Sequence, residues 1–514
     1  MNRDFDNQVR ELFSRWTEGI CPGGQILIRR NHETIYEQCF GYGNLENRIP
    51  ITQDSIFHVA SISKQFTVLA VLLLQEDGKL NVDDDIRQYA GDLVSFEEPV
   101  TIRQMFNNVS GIRDQWELLF MRGIKINDSI GMEDVNATIR LQKTLNFPPQ
   151  EGYLYSNTGF HLLSVIVERL SGKTFPDFVK ERIFTPLGMD HTMVRSSYCQ
   201  VIPNLAYSYQ DEGSSSFYYN PLNYSLYGPT SVNTCARDLV RIIREYESPS
   251  LFSRETVDTV LKAAVLKDGT EIEYCGGMMT HMFQGMKVYE HSGADAAYRG
   301  QLLWIPEKQL EIVVLSNTTS YMASKMSRKL AALVLGLPAE AEVRTVIDAC
   351  PPSPGIYVTA LPDDPFVMEV SGNQNGFYMK REYGDTGLVE QADGSYRIGS
   401  LDEYLVFHQD MVEHILPGRV VKLWRGEKSD AEFKLRPGVY YQDETECRME
   451  IMGADGDYSI AHPRFGTTPI YFTRDHQVIF GFGPDFVMYM TRCEDGLVMD
   501  GYRARRMRFK EMGI

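Results

Sequence analysis

At 514 residues the chain is too long for one ordinary hydrophobic core and implies two to four domains. A composition of 43% hydrophobic and 23% charged residues is that of a soluble globular protein, and a net charge of −18 sets it against nucleic acid and anionic membranes as partners. The longest apolar run, Val68 to Leu74, falls far short of the ~20 residues a spanning helix needs. Eight scattered cysteines without a CxxC pair indicate neither a disulfide framework nor a zinc knuckle, and the N-terminus lacks the pattern of a secretory signal, so the expected location is cytoplasmic.

The first stretch reads as a helix to about Ile20, stopped by Pro22-Gly23-Gly24. GQILIRRNHETIYEQCFGYGN follows as two strands around a turn at Asn31–Glu33. From Ser61 an apolar helix runs to a stop at Gly78, and its all-round apolar middle predicts burial. Helical segments continue through TIRQMFNN, TGFHLLSVIVERLSG, FPDFVKERIF and CARDLVRIIREY. Strands return in MKVYEHSG and in a hairpin turning at Pro306-Glu307-Lys308, before a last helix from about Ser320 to Leu335. Strands at both ends with helices between them predict an α+β domain on an antiparallel sheet.

AEAEVRTVIDACPPSPG is then a linker candidate. Beyond it the chain reads as short alternating strands, from GFYMKREY to FVMYMTRC. Pro354-Gly355-Ile356-Tyr357 and Pro437-Gly438-Val439-Tyr440 open two stretches of similar length, which points to a duplicated β-unit and hence two small barrels.

Three motifs carry chemistry. Ser61-Ile62-Ser63-Lys64 opens the apolar helix, and i to i+3 spacing puts hydroxyl and ammonium on one face. Burial there lowers the lysine pKa and lets it take the serine proton. Alone, the tetrapeptide reads as an N-capping serine with an ordinary surface lysine. Tyr155-Ser156-Asn157 lies in a turn before an amphipathic helix, where a tyrosine can relay a proton and an amide can hold a lysine and a substrate carbonyl. His291-Ser292-Gly293 precedes a strand hairpin. On an edge strand beside Ser61, Gly293 would let substrate approach the backbone, and the Ala294 N–H would join that of Ser61 as an oxyanion hole. Arg299 has two readings, a contact to a substrate carboxylate or pairing within the sheet.

The ordered set S-x-x-K, Y-x-N and H-x-G resembles the serine β-lactamase and penicillin-binding-protein superfamily, on its class C and esterase side. FHVASISKQFT, MFNNVSGIRD, YSNTGFHLLSVIVERLSGK, FTPLGMDHTMV, TCARDLVRII and GQLLWIPEKQLEIVVLSN extend the likeness over roughly residues 20 to 335. A domain of this type followed by two barrels resembles the D-aminopeptidase branch. The resemblance implies a β-lactamase-like hydrolase domain over 1–345 and lipocalin-like β-barrels over 352–436 and 437–514. It implies a serine acyl-enzyme releasing N-terminal D-residues from peptides, amides or esters, without metal or cofactor, in a cytoplasmic protein and possible homodimer.

By the same resemblance Ser61 is the nucleophile, Lys64 the base, Tyr155 the proton relay and Asn157 the carbonyl-orienting amide. Ser61 and Ala294 supply the oxyanion donors, and His291 stands where penicillin-recognising members carry lysine. A histidine mostly neutral near pH 7 favours substrates without a carboxylate at that end. In the D-aminopeptidase branch a loop of the last barrel reaches the cleft and recognises the substrate amine. Here that loop is expected within GFGPDFVMYM, with Asp485 as the candidate carboxylate. An esterase, a weak β-lactamase or D,D-peptidase, and an idle binding protein are the alternatives on the same scaffold.

Overall fold

The computed structural model describes residues 3–213, 216–338, 349–360, 364–381, 384–399, 401, 403–416, 419–428, 435–454, 457–473, 477–483, 486–493 and 496–512. Residues 339–348 of the linker candidate lie outside the described residues.

Seven antiparallel strands make the central sheet: β1 (Gly24–Arg30), β2 (Glu33–Phe40), β3 (Tyr274–Cys275), β4 (Met278–Phe283), β5 (Met286–Asp295), β6 (Tyr298–Ile305) and β7 (Leu310–Ser316). Their spatial order is β3-β4-β5-β6-β7-β1-β2. The chain therefore opens at one edge of the sheet and returns, after the helices, to build the rest. Asn31 and His32, at φ 53° and 66°, form a two-residue hairpin loop whose left-handed backbone matches the strand twist. Glu33 already belongs to β2.

Both sheet faces are covered, which is why Ile26, Leu27 and Ile28 in the middle of β1 are apolar without alternation. Ile26 and Ile28 face a core closed by helix α1 (Arg3–Leu12) and the C-terminal helix Ala323–Leu335. Leu27 faces the larger core, filled by helices α2 (Lys64–Glu76) and α4 (Asn157–Ser171), with α3 (Gln115–Met121) at its margin. The first helix stops at Leu12, not near Ile20, and a 3₁₀ turn over Ser14–Trp16 follows. Three residues per turn bring Phe13 and Trp16 to the same side, where both rings pack against Tyr321.

The C-terminal part folds as two closed antiparallel barrels of eight strands each, from Gly355–Val358 to Arg419–Arg425 and from Gly438–Gln442 to Met507–Met512. The shared P-G-[IV]-Y opening has a structural role. Tyr357 donates its hydroxyl to the Ser353 carbonyl at 2.7 Å, and Tyr440 donates to the Arg436 carbonyl at 2.8 Å, each reaching back four residues at the start of its barrel. The last hairpin, Gly496–Asp500 with Met507–Met512, closes the second barrel and had no counterpart in the sequence reading.

The second barrel docks on the N-terminal α+β domain through α3. Leu118, Phe120 and Met121 enter the barrel's apolar cluster. The buried Arg113 pairs with Glu444 at 2.8 Å, and His462 meets the Met121 carbonyl at 3.0 Å. Among the described residues no helix is long and apolar enough to cross a membrane.

Candidate active site

Ser61 lies in a 3₁₀ turn, Ala60–Ser63, rather than in the helix itself, which starts at Lys64. Ala60 holds a left-handed φ of 46°, a conformation that costs a non-glycine residue about 1–3 kcal/mol. Surrounding bonds hold it there: the Val59 N–H donates to the Val232 carbonyl at 2.9 Å, and the Val232 N–H donates to Ser63 Oγ at 3.0 Å. The strained turn lifts the serine side chain into a cleft of about 560 Å³ also lined by Tyr155, Asn157, His291, Ala294 and Arg503.

Lys64 is fully buried. Its Nζ donates to Ser61 Oγ at 3.0 Å, Asn157 Oδ1 at 2.9 Å and the Pro229 carbonyl at 2.9 Å. It lies 4.7 Å from the centre of the Tyr155 ring. Burial, then the Arg503 charge, hold its pKa well below the usual lysine value, against the pull of Asp114 and Asp295. With the amine neutral, the Ser61–Lys64 bond can reverse, the hydroxyl donating to the nitrogen lone pair.

Asp114 fixes the amide of Asn157. Its Oδ2 accepts from the Asn157 N–H at 2.7 Å and from Nδ2 at 2.8 Å, so Oδ1 must face Lys64. The same carboxylate caps α3 by accepting from the Trp116 N–H at 3.0 Å. Burial raises the Tyr155 hydroxyl pKa above its ordinary value, while a hydrogen bond with Ser61 and the Arg503 charge oppose it, leaving a protonated phenol in contact with the serine.

His291 is buried, and Nδ1 bonds the Ser292 carbonyl at 2.6 Å, which places the proton on Nδ1 and the lone pair on Nε2. Burial, then Lys64, push its pKa down to about 3, so it is neutral at pH 7. β5 is an interior strand, not an edge. Its pairing with β4, however, stops at Glu290, and His291 to Asp295 pair only with β6. The freed side faces the Ser61 turn. Gly293 is needed for a different reason from the one expected: a Cβ there would lie 2.2 Å from the Val59 carbonyl oxygen, so it makes room for the serine turn.

Arg299 does not reach the cleft. Its Nη1 donates to the carbonyls of Ala296 at 3.1 Å and Tyr298 at 2.7 Å, which binds it into the β5–β6 turn. Asp485 lies outside the described residues. Among the described residues, the barrel residues that line the cleft are Tyr502 and Arg503, from the loop between the last two strands.

That loop is held by its backbone. Glu117 of α3 accepts from the N–H groups of Arg503 at 2.5 Å and Ala504 at 2.6 Å. Asn146 Nδ2 donates to the Arg503 carbonyl at 3.0 Å, and Arg113 Nε donates to the Arg505 carbonyl at 3.1 Å. The Arg503 side chain is left to project, with its guanidinium 5.0 Å from the Tyr155 ring centre and 4.6 Å from that of Tyr502.

A second charge sits on β5. Asp295 lines the cleft beside Ala294, and its Oδ2 is bonded by His58 at 3.3 Å, Thr230 at 3.2 Å and the Tyr224 hydroxyl. Burial raises its pKa, but those donors outweigh it and hold the carboxylate ionised. No motif marks Asp295 or Arg503. The only sequence signal for Asp295 was its position two residues past the glycine of H-x-G.

Residues 8–336 match the β-lactamase family. Penicillin-binding protein 4* of Bacillus subtilis is 28% identical over 62% of this chain and 73% of its own. A D-aminopeptidase of Gluconobacter oxydans is 29% identical over 73% of this chain and 66% of its own. The matched stretch thus spans between three fifths and three quarters of the curated relatives. In fold, the octameric penicillin-binding protein homologue of Pyrococcus abyssi is similar at a TM-score of 0.58 and 23% identity, over 90% of this chain and 97% of that one. The family match over more than half of the chain agrees with the sheet and helices around Ser61: the chain belongs to the β-lactamase and penicillin-binding-protein family of serine hydrolases.

Proposed function

We propose that the protein is a D-aminopeptidase-like serine hydrolase that cleaves the amide after an N-terminal D-residue through an acyl-enzyme on Ser61. The observation that carries the reading is the fully buried Lys64, bonded at once to Ser61 Oγ and to Asn157 Oδ1. In the reaction the neutral Lys64 amine takes the Ser61 proton as Oγ attacks the carbonyl carbon. The N–H groups of Ser61 and Ala294 receive the oxyanion, and Asn157 orients the substrate carbonyl. The proton passes through the Tyr155 hydroxyl to the leaving nitrogen, the C–N bond breaks, and an ester on Ser61 remains. Water then attacks the ester, gives its proton back along Tyr155 and Lys64 to Ser61, and frees the acid. His291 acts through packing and a fixed tautomer, not through charge.

Asp295 supports an amine-bearing acyl group. β5 runs from His291, whose ring lies 6.2 Å from Tyr155, to Asp295 four residues on, a span of ~13 Å along an extended strand. Tyr155 serves the leaving nitrogen, so Asp295 belongs to the opposite, acyl end, where its ionised carboxylate suits an α-ammonium. The relatives named D-aminopeptidase support the same class. We extend the proposal to the division of the chain at 1–345, 352–436 and 437–514, to a cytoplasmic location and to a homodimer, which light scattering would test.

A panel of D- and L-alanine p-nitroanilides, short-chain p-nitrophenyl esters and nitrocefin checks the activity. Turnover of the D-anilide in preference to the L-anilide is expected. Turnover of esters or nitrocefin alone would overturn the aminopeptidase reading.

A further inference from the structure

The loop that closes the second barrel brings a permanent cation to the leaving-group end of the cleft. Its backbone is pinned by Glu117, Asn146 and Arg113, so the position of Arg503 is set by the catalytic domain and not by the barrel alone. Its guanidinium lies 5.0 Å from the ring of the proton-relaying Tyr155. Among the described residues no carboxylate lies within ion-pair distance of it, and its Nε is buried without a hydrogen-bond partner. Asp114 and the Tyr502 hydroxyl favour its charge from within the chain, and the side chain lines the cleft where a ligand would lie. His291 is neutral and Lys64 is held toward its neutral form, so Arg503 is the permanent cation at this end.

We propose that Arg503 binds the α-carboxylate of the leaving group, so that the substrates are short peptides with a free C-terminus, a D-residue followed by one further residue. This rests on the D-aminopeptidase reading and narrows it. Asp295 receives the ammonium of the acyl residue, and Arg503 receives the carboxylate one residue beyond the scissile nitrogen, a step of ~3.4 Å in extended chain. The amide C–N bond breaks, the nitrogen takes the proton relayed by Tyr155, and a free amino acid departs with its carboxylate on Arg503. A guanidinium suits this task because it offers two parallel N–H donors to a carboxylate. The inference also revises the expectation drawn from His291. The lysine is missing from the strand, but a cation arrives from the far end of the chain.

The test compares kcat/KM for D-alanyl-L-alanine and for its C-terminal amide, in the wild-type chain and in Arg503→Met and Arg503→Lys. The free acid is expected to be preferred by about 10- to 100-fold, the range of a charge-assisted hydrogen bond. Met should abolish the preference and Lys should restore part of it. A purely structural role for Arg503 would lower both rates and leave their ratio unchanged, which overturns the proposal. An acid-to-amide ratio near one in the wild type, which needs no variant to fold, also overturns it. D-alanine p-nitroanilide separates the two levels. If the wild type cleaves the anilide without preferring the acid, this inference fails and the aminopeptidase reading stands. If it cleaves neither anilide nor peptide, the aminopeptidase reading itself fails.

Discussion

The turn that holds Ser61 and the loop that holds Arg503 meet in one cleft but are built in opposite ways. The turn is local. Ser61 and Lys64 are three residues apart on one continuous element, and burial in the catalytic core tunes the lysine. The loop between Gly496–Asp500 and Met507–Met512 is remote, carries no motif, and is placed by side chains of the catalytic domain that grip its backbone. Under the proposed reading the turn supplies the bond-breaking groups with almost no net charge, and the loop supplies a cation that meets the substrate and tunes the turn's lysine. Under the same reading, substrate recognition draws on both domains, with Asp295 on β5 facing the amine and Arg503 on the loop facing the carboxylate.

Removing the turn's chemistry should have the largest effect. Lys64→Met leaves Ser61 without a base and is expected to lower kcat by at least about 10³-fold, with the loss in kcat and not in KM, as steady-state kinetics on the D-anilide would reveal. Asp295→Asn keeps the shape of the acyl end and removes its charge. It should cost about 10- to 100-fold in kcat/KM for substrates with a free α-amine and much less for N-acetylated counterparts. Equal losses on both would assign Asp295 to packing with His58 and Tyr224 instead.

The loop also acts on the turn through charge. Activity requires neutral Lys64, so the acid limb of kcat/KM follows the lysine pKa, which burial and Arg503 together depress. Removing a neighbouring cation favours protonation. Arg503→Met is therefore expected to move the acid limb to higher pH, and Arg503→Lys to leave it near its original place. A limb that does not move would separate the two regions electrostatically.

A smaller effect is expected at the seat of the loop. A Cβ on Gly501 would lie 2.4 Å from Glu117 Oε2. Gly501→Ala should cost about 1–3 kcal/mol as the glutamate shifts, visible as a lower Tm, with a weaker acid-over-amide preference. Burial, then Asp114, push the Glu117 carboxyl up to about 8, against the two backbone donors it faces. With its folded pKa above the unfolded one, Glu117 contributes stability at low pH that is lost as pH rises from the ordinary carboxyl range through about 8. Glu117→Gln should flatten that part of a stability-against-pH curve.

The difference between turn and loop also explains what could be read from the sequence. The strands and helices around Ser61 follow from apolar periodicity and from glycine stops such as Gly78 and Gly172, both in the left-handed region. Ser61, Lys64, Tyr155, Asn157 and His291 come together as their spacing and order suggested, because each motif sits where a secondary element begins or leaves its neighbour. Arg503 was not legible. Its hairpin has only five- and six-residue strands, and nothing in GYRARR distinguishes one arginine from the next. Its meaning arises from Glu117 and Asn146, more than 350 positions away in the chain. Asp485, the carboxylate expected from its place in a turn, lies outside the described residues, and among the described ones Tyr502 and Arg503 of the last hairpin reach the cleft. The first helix was overextended because amphipathic spacing cannot tell α from 3₁₀ geometry where two aromatic rings must share one side.

Intact-mass and peptide mass spectrometry after treatment with an acylating phosphonate would test the Ser61 acyl-enzyme most directly. A single covalent adduct on the peptide containing Ser61, absent in Ser61→Ala, is the expected result. No adduct, or an adduct on another residue that survives Ser61→Ala, would contradict it.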